Sequence, residues 1–330
     1  MRSFLPSLIS IPIELVDIAV GIWLDKRWVH KKLIQLQREH PLSLEPATIQ
    51  KIEGRHAIFY NIIYKSFLGL YDRTPGDEEK MQLLYFVICV TLGDNFFDSN
   101  TYSREQLYQL AFYPEAYPSV NEVERFFIKY SILLNQYAAS KPGYQHIIRE
   151  LYQSQVDSLR QLDPTIPGET LAEITYRKGG YSILVSRFYL DLLENKSEEL
   201  CWYQMGALIQ LGNDIYDVYK DLHEGIHTLP NRMQKVKEIE NELSTRMQEF
   251  KASVRSLAVS DRKKKKLLRR TAIIYALSFT ALDQYKILEN KFGDLPDLKT
   301  LPRSALIIDM ELWRNRWTLM KYVISLSRLE

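Results

Sequence analysis

The sequence predicts an all-α fold, a single large bundle of mostly antiparallel helices. Three observations carry that expectation. Apolar residues recur at three- and four-residue steps almost throughout, and alternating strand patterns are scarce. Glycine and proline number only 13 each in 330 residues, too few for a turn-rich β protein. Clusters of Pro, Gly, Asn and Asp cut the chain into long stretches, several of about 20–30 residues against a usual helix of about 11–12. Packing in a bundle accounts for such lengths.

Taken in order, helices are expected over 13–40 and 46–71, the second stopped by Asp72-Arg73-Thr74-Pro75-Gly76. The next, 77–97, is almost wholly apolar from Leu83 to Leu92, so it is expected to be central and buried on most sides. Helices over 103–113, 120–140 and 143–162 are closed by Tyr113 to Pro118, by Lys141-Pro142-Gly143 and by Asp163 to Gly168. Two more follow over 168–194 and 197–223, then 231–258 and 262–291, the last ended by Gly293 to Pro296, and finally 302–328. No internal repeat, linker or low-complexity tract divides them, so a single domain over 1–330 is expected.

Charge narrows the function. With 43 Lys and Arg against 41 Asp and Glu, the formal net charge is +2, without the concentrated basic surface of a nucleic-acid protein. The two cysteines, Cys89 and Cys201, sit in apolar runs and read as buried thiols, not as a disulfide scaffold or a zinc site. Phe4 to Leu24 is the best candidate for a membrane span, but Pro6, Pro12, Glu14 and Asp17 interrupt it, so neither a span nor a secretory signal is expected there. Trp23 and its aliphatic neighbours precede Lys26, Arg27, Lys31 and Lys32, which leaves two roles: a first helix packed on the core, or one that rests on a membrane surface. A cytoplasmic protein, peripheral to a membrane at most, is expected. The run Arg262-Lys263-Lys264-Lys265-Lys266, continued by Arg269 and Arg270, fits a solvated helix start or contact with anionic lipid or a phosphorylated substrate.

Two apolar helices end in acids. Asp94 and Asp98, in Leu92-Gly93-Asp94-Asn95-Phe96-Phe97-Asp98, are one turn apart on one face. Their like charges repel, and the negative end of the helix dipole adds to the repulsion, so a cation or basic group is expected beside them. In the second helix, Asn213, Asp217 and Asp221 follow at i, i+4 and i+8 and are expected on one face, with Gly206, Ile209 and Gln210 extending it. Aligned oxygen ligands of this kind suit Mg²⁺, which shares them with substrate phosphates. Lys220 adjoins Asp221 as a phosphate partner, and Tyr176-Arg177-Lys178-Gly179-Gly180 points to a kink or a close backbone approach within a helix.

These residues carry a resemblance. Asp94-Asn95-Phe96-Phe97-Asp98 resembles the DDxxD motif of class I terpene synthases, with Asn95 at its second position. Asn213-Asp214-Ile215-Tyr216-Asp217-Val218-Tyr219-Lys220-Asp221 resembles that family's NDxxSxxKE motif, with Asp217 for Ser or Thr and Asp221 for Glu. Gly225 fits as well, and the stretch through Leu229-Pro230 is similar to the second aspartate-rich region of squalene and phytoene synthases. The resemblance implies the all-helical isoprenoid synthase fold and Mg²⁺-dependent ionisation of a linear prenyl diphosphate, C15–C20 favoured, with release of pyrophosphate. It implies three Mg²⁺ ions bridging the diphosphate, with Asp94 and Asp98 on one side and Asn213, Asp217 and Asp221 on the other. Arg177 is expected to sense the diphosphate, ahead of Lys178, with Lys220, Arg316 and Tyr322 as further contacts. A dry wall for the carbocation is expected from Phe59, Tyr60, Val87, Val90, Thr91, Gly180, Trp202, Tyr203, Gly206 and Gln210. A homodimer is left open. Two alternatives remain: a head-to-head prenyltransferase, although Val90 and Thr91 stand where squalene-type enzymes carry Arg, and a non-catalytic helical interaction protein with a relict metal site.

Overall fold

The computed structural model describes residues 4–99 and 101–328. Helices carry the fold, and among the described residues there is no strand. In chain order they are α1 (Phe4–Arg38), α2 (Pro46–Ile58), α3 (Lys65–Leu68), α4 (Asp77–Asp98), α5 (Arg104–Phe112), α6 (Glu122–Ala138), α7 (Tyr144–Ser158), α8 (Gly168–Arg187), α9 (Lys196–Tyr216), α10 (Val218–Glu224), α11 (Val236–Ser256), α12 (Asp261–Phe292), α13 (Arg303–Leu306) and α14 (Trp313–Leu326). The chain groups into two compact units. One holds Pro12–Gln145 and Ser186–Leu193; the other holds His146–Val185, the chain from Glu194 onward and its start up to Ile11. These divisions fall inside α1, α7 and α8 and beside the start of α9, not in Gly- or Ser-rich linkers.

In the first unit α4 is the axis and packs against α2 and α6. Leu83, Leu84, Phe86, Val87, Ile88, Leu92 and Phe96 are buried on several of its sides, as its apolar run predicts. Gly76 precedes the helix, where the Glu79 carboxylate accepts from the Gly76 N–H at 2.8 Å and closes a capping arrangement. Between α2 and α3 the chain stays helical but widens into a π-turn over Phe59–Tyr64. Asn61 donates to the Ala57 carbonyl there at 2.9 Å, and Lys65 donates to Asn61 at 2.8 Å. α1 begins earlier than its periodicity suggests and carries Pro12 within it. Its inner positions Ile18, Val29 and Leu33 are buried.

In the second unit α9 packs on α11 and α12, and α12 packs on α14. α11 faces inward with Leu243, Met247, Phe250 and Val254. Several expected helices are shorter or divided. α8 ends at Arg187, the expected 197–223 helix breaks at Asp217, and 302–328 separates into α13 and α14. The paired glycines of α8 do not end the helix, which continues through them to Arg187. They serve a close approach: a Cβ on Gly179 would stand 2.3 Å from the Gly206 carbonyl oxygen, and one on Gly206 would stand 2.2 Å from the Gly179 oxygen. Only glycine lets the α8 and α9 backbones touch in this way.

Candidate functional site

The second acidic segment sits where α9 gives way to α10. Asn195 caps α9 by accepting from the Glu198 N–H at 3.2 Å. At the other end Asp217 leaves helical geometry, at φ −91° and ψ 5°, although its N–H still bonds the Asn213 carbonyl at 2.8 Å. The buried Tyr285 hydroxyl of α12 lies 3.3 Å from the Ile215 carbonyl and 3.1 Å from that of Leu306, so it meets a carbonyl exposed by the break. α10 then stops at Gly225, whose φ of +71° is left-handed, and the Ile226 N–H returns to the Asp221 carbonyl at 2.8 Å.

The break divides the ligands expected on one face. Asn213 and Asp217 are exposed, whereas Asp221 is buried with Asp214. Asp214 was not among the expected ligands. It accepts from Gln210 Nε2 at 2.8 Å and from Thr175 Oγ1 at 2.9 Å. Burial pushes its carboxyl up to about 6 and the Asp217 charge adds to the rise, against the Gln210 and Thr175 hydrogen bonds and the Lys178 charge. Burial likewise pushes Asp221 up to about 7, with the charges of Asp214, Asp217 and Glu224 against Lys220. Three mutually repelling carboxylates, two of them buried, form an anionic centre that a cation would relieve.

Gln210 was expected on a cavity wall, and here it holds Asp214. The inward spacing Gln210, Asp214, Asp221 was present in the sequence, but the register read from Asn213 concealed it. Thr175 lies on another helix and has no signal of its own.

The neighbouring cations separate. Arg177 is held by Glu150 at 3.0 Å, Asp157 at 3.1 Å and Glu173 at 3.5 Å. Lys178, ranked below it from sequence, is the cation whose charge reaches Asp214. Lys220 stands 3.4 Å from Glu224. Tyr322 donates toward both Asp283 oxygens, at 3.0 and 3.1 Å, and Arg316 donates to the Met310 carbonyl at 2.8 Å. Trp202 is fully buried and its indole donates to Glu198 at 3.0 Å, while Gly206 is taken up by the contact with Gly179. Tyr203 lies edge-on to Tyr181 and against Gly180.

The first acidic segment closes α4 in the other unit. Asp94 is half-buried and pairs with Arg55 Nη1 at 2.8 Å, and the same nitrogen donates to Thr91 at 3.3 Å. Asp98 is exposed. The basic partner that the repulsion argument requires is therefore Arg55, a residue no motif singled out. Thr91 and Val87 are buried, Val90 is half-buried, and Phe59 packs on Phe86 with ring centroids 6.3 Å apart. An open depression of about 190 Å³ in this unit is lined by Lys32, Glu39, Tyr85, Lys129 and Tyr130, among others, and by none of the expected wall residues.

Among the described residues, no group of three or more His, Cys, Asp or Glu side chains forms a ready metal cage. Mg²⁺ needs none: it is usually held through one or two carboxylates, with water and substrate phosphate completing its shell. Asp217 and Asp221 carry hard oxygen donors of that kind, and the carboxylate charge gathered around Asp214 and Asp221 fits a divalent cation. Compared with protein-family models, curated proteins and solved structures, the chain matches none.

Proposed function

We propose that this chain is a Mg²⁺-dependent class I terpene synthase that ionises a linear prenyl diphosphate, C15–C20 favoured, and cyclises or quenches the resulting allylic cation with release of pyrophosphate. The observation that carries the proposal is the pair of buried carboxyls, Asp214 and Asp221, gathered with the exposed Asp217 at the α9–α10 break and raised by burial and by neighbouring carboxylate charge. Such a group costs stability in the absence of a cation, which packing alone does not explain. The resemblance of both acidic segments to the family's metal motifs supports the same conclusion.

In this proposal Asn213, Asp217 and Asp221 offer oxygen ligands to Mg²⁺, and Gln210 and Thr175 hold Asp214 behind them. Asp94 and Asp98 offer a second set of carboxylates, with Arg55 keeping Asp94 in place. Lys178 and Lys220 lend positive charge where diphosphate accumulates negative charge. When bound, Mg²⁺ supplies Lewis-acid stabilisation of the leaving diphosphate.

The test is incubation of the purified protein with Mg²⁺ and prenyl diphosphates of several chain lengths, with pyrophosphate release and gas chromatography as readouts. A hydrocarbon or terpene alcohol of the substrate's own chain length is expected, and Asp94→Ala and Asn213→Ala are expected to abolish it while leaving the protein folded. A product longer than the substrate would instead assign head-to-head transfer. A folded protein with no turnover on any chain length, and no stabilisation by Mg²⁺ with pyrophosphate, would assign a non-catalytic role.

A further inference from the structure

α1 presents two opposite faces. Ile18, Val29 and Leu33 are buried, and Asp25 is buried on that side, hydrogen-bonded to His56 at 2.6 Å and paired with Lys80 at 2.7 Å. On the outer side Ile13, Val16, Val20, Trp23 and Leu24 are each between 50% and 64% exposed. These residues follow at three- and four-residue steps, so they form one stripe of about 17 Å at 1.5 Å per residue, with the exposed Asp17 at its edge. The same face continues at the same steps into Arg27 and Lys31, both exposed, with Lys26 beside them. Arg27 lies over the Trp23 ring, 3.6 Å from its centroid, where the apolar part meets the basic part.

Solvent gains nothing from five large apolar side chains aligned on one helix, and a contiguous patch of this kind marks an interaction surface. Two features select its occupant. The stripe is far shorter than a bilayer core, and among the described residues no helix is long and apolar enough to cross a membrane, so the helix would lie in the surface and not span it. Its basic continuation and the Trp23–Arg27 pair match the headgroup level of an anionic leaflet, where Trp is favoured and Lys and Arg are attracted to phosphate. We infer that the outer face of α1 docks on an anionic lipid surface, with Ile13, Val16, Val20, Trp23 and Leu24 entering the headgroup–acyl boundary and Arg27 and Lys31 contacting lipid phosphate. This docking does not depend on the catalytic proposal.

The experiment is co-sedimentation of the full chain with phosphatidylcholine vesicles, with and without phosphatidylserine, at low and high salt. Binding to phosphatidylserine vesicles is expected to exceed binding to phosphatidylcholine alone by about tenfold or more, as two or three surface cations imply, and to weaken with salt. Val20→Asp with Leu24→Asp is expected to lower vesicle binding at least about tenfold while leaving the circular dichroism unchanged, since both side chains are exposed. Arg27→Glu with Lys31→Glu is expected to remove the phosphatidylserine preference. Equal, weak sedimentation with both vesicle types, or double variants that bind as the wild type does, would overturn the inference. Self-association in solution that Val20→Asp with Leu24→Asp abolishes, without vesicle binding, would assign the face to a second copy and overturn it as well.

Discussion

Replacing Asp221 by asparagine keeps the shape of a buried side chain and removes its charge. In the folded protein burial, and then the charges of Asp214 and Asp217, push this carboxyl up to about 7 from an ordinary 3.8. At about 1.4 kcal/mol per decade of proton affinity, holding it ionised costs at most about 4.5 kcal/mol. The neighbouring carboxylates share that repulsion and readjust when one charge goes, so a gain of about 1–3 kcal/mol is expected from Asp221→Asn at pH 8. The sign follows from linkage. The folded state holds this proton more tightly than the unfolded chain does, so wild-type stability falls as pH rises from about 3.8 to about 7 and is level above that. In Asp221→Asn that fall shrinks. Thermal and urea unfolding in EDTA measure both effects, with a rise of a few degrees in Tm at pH 8 for the variant. Adding Mg²⁺ and pyrophosphate is expected to stabilise the wild type by mass action and to leave the variant nearly unmoved. A variant no more stable than the wild type in EDTA at pH 8, with an unchanged pH profile, would refute the argument that this carboxylate group is held under electrostatic stress.

Gly206→Ala is expected to destabilise the protein by about 2 kcal/mol or more, because its Cβ would stand 2.2 Å from the Gly179 carbonyl oxygen and α8 and α9 would have to part; a urea midpoint checks this. Asp25→Asn strands His56 and Lys80 and is expected to cost about 3–5 kcal/mol. Burial alone would raise the Asp25 carboxyl, but His56 and Lys80 outweigh it and hold it below its ordinary value of 3.8. Its stabilisation is therefore complete above 3.8 and lost as pH falls through the depressed folded value, so the variant flattens the acid limb of the stability curve. Arg177→Ala is expected to lower stability by about 1–3 kcal/mol with kcat/KM kept, whereas Lys178→Ala lowers turnover by about tenfold or more and leaves stability nearly unchanged; unfolding and steady-state kinetics on the pair separate the two roles.

The helices were legible because a buried face imposes a 3.6-residue period on the sequence. α4 is the plainest case: an apolar run reads as burial on several sides, and burial follows. Local stops such as Gly76 before α4 and Gly293 after α12 were legible too, since their chemistry acts within a turn. The break at Asp217 was not, because nothing local in Asn213-Asp214-Ile215-Tyr216-Asp217 ends a helix and the Tyr285 hydroxyl that meets the freed carbonyl arrives from α12. That break altered which acids face inward: Asp214 and Asp221 are buried, and Asn213 and Asp217 are not. Arg55 beside Asp94 and Thr175 beside Asp214 were equally hidden, as partners from other helices leave no spacing to read.

The sequence by itself determined the all-helical character, the central place of α4 and the two acidic segments, since period and composition act along the chain. Tertiary packing alone decided that Gly179 and Gly206 are a helix contact, that Arg177 belongs to Glu150 and Asp157, and that α1 leaves an apolar stripe outward. Each depends on which helix surfaces meet, and the energy of a contact between distant segments is not written in either one.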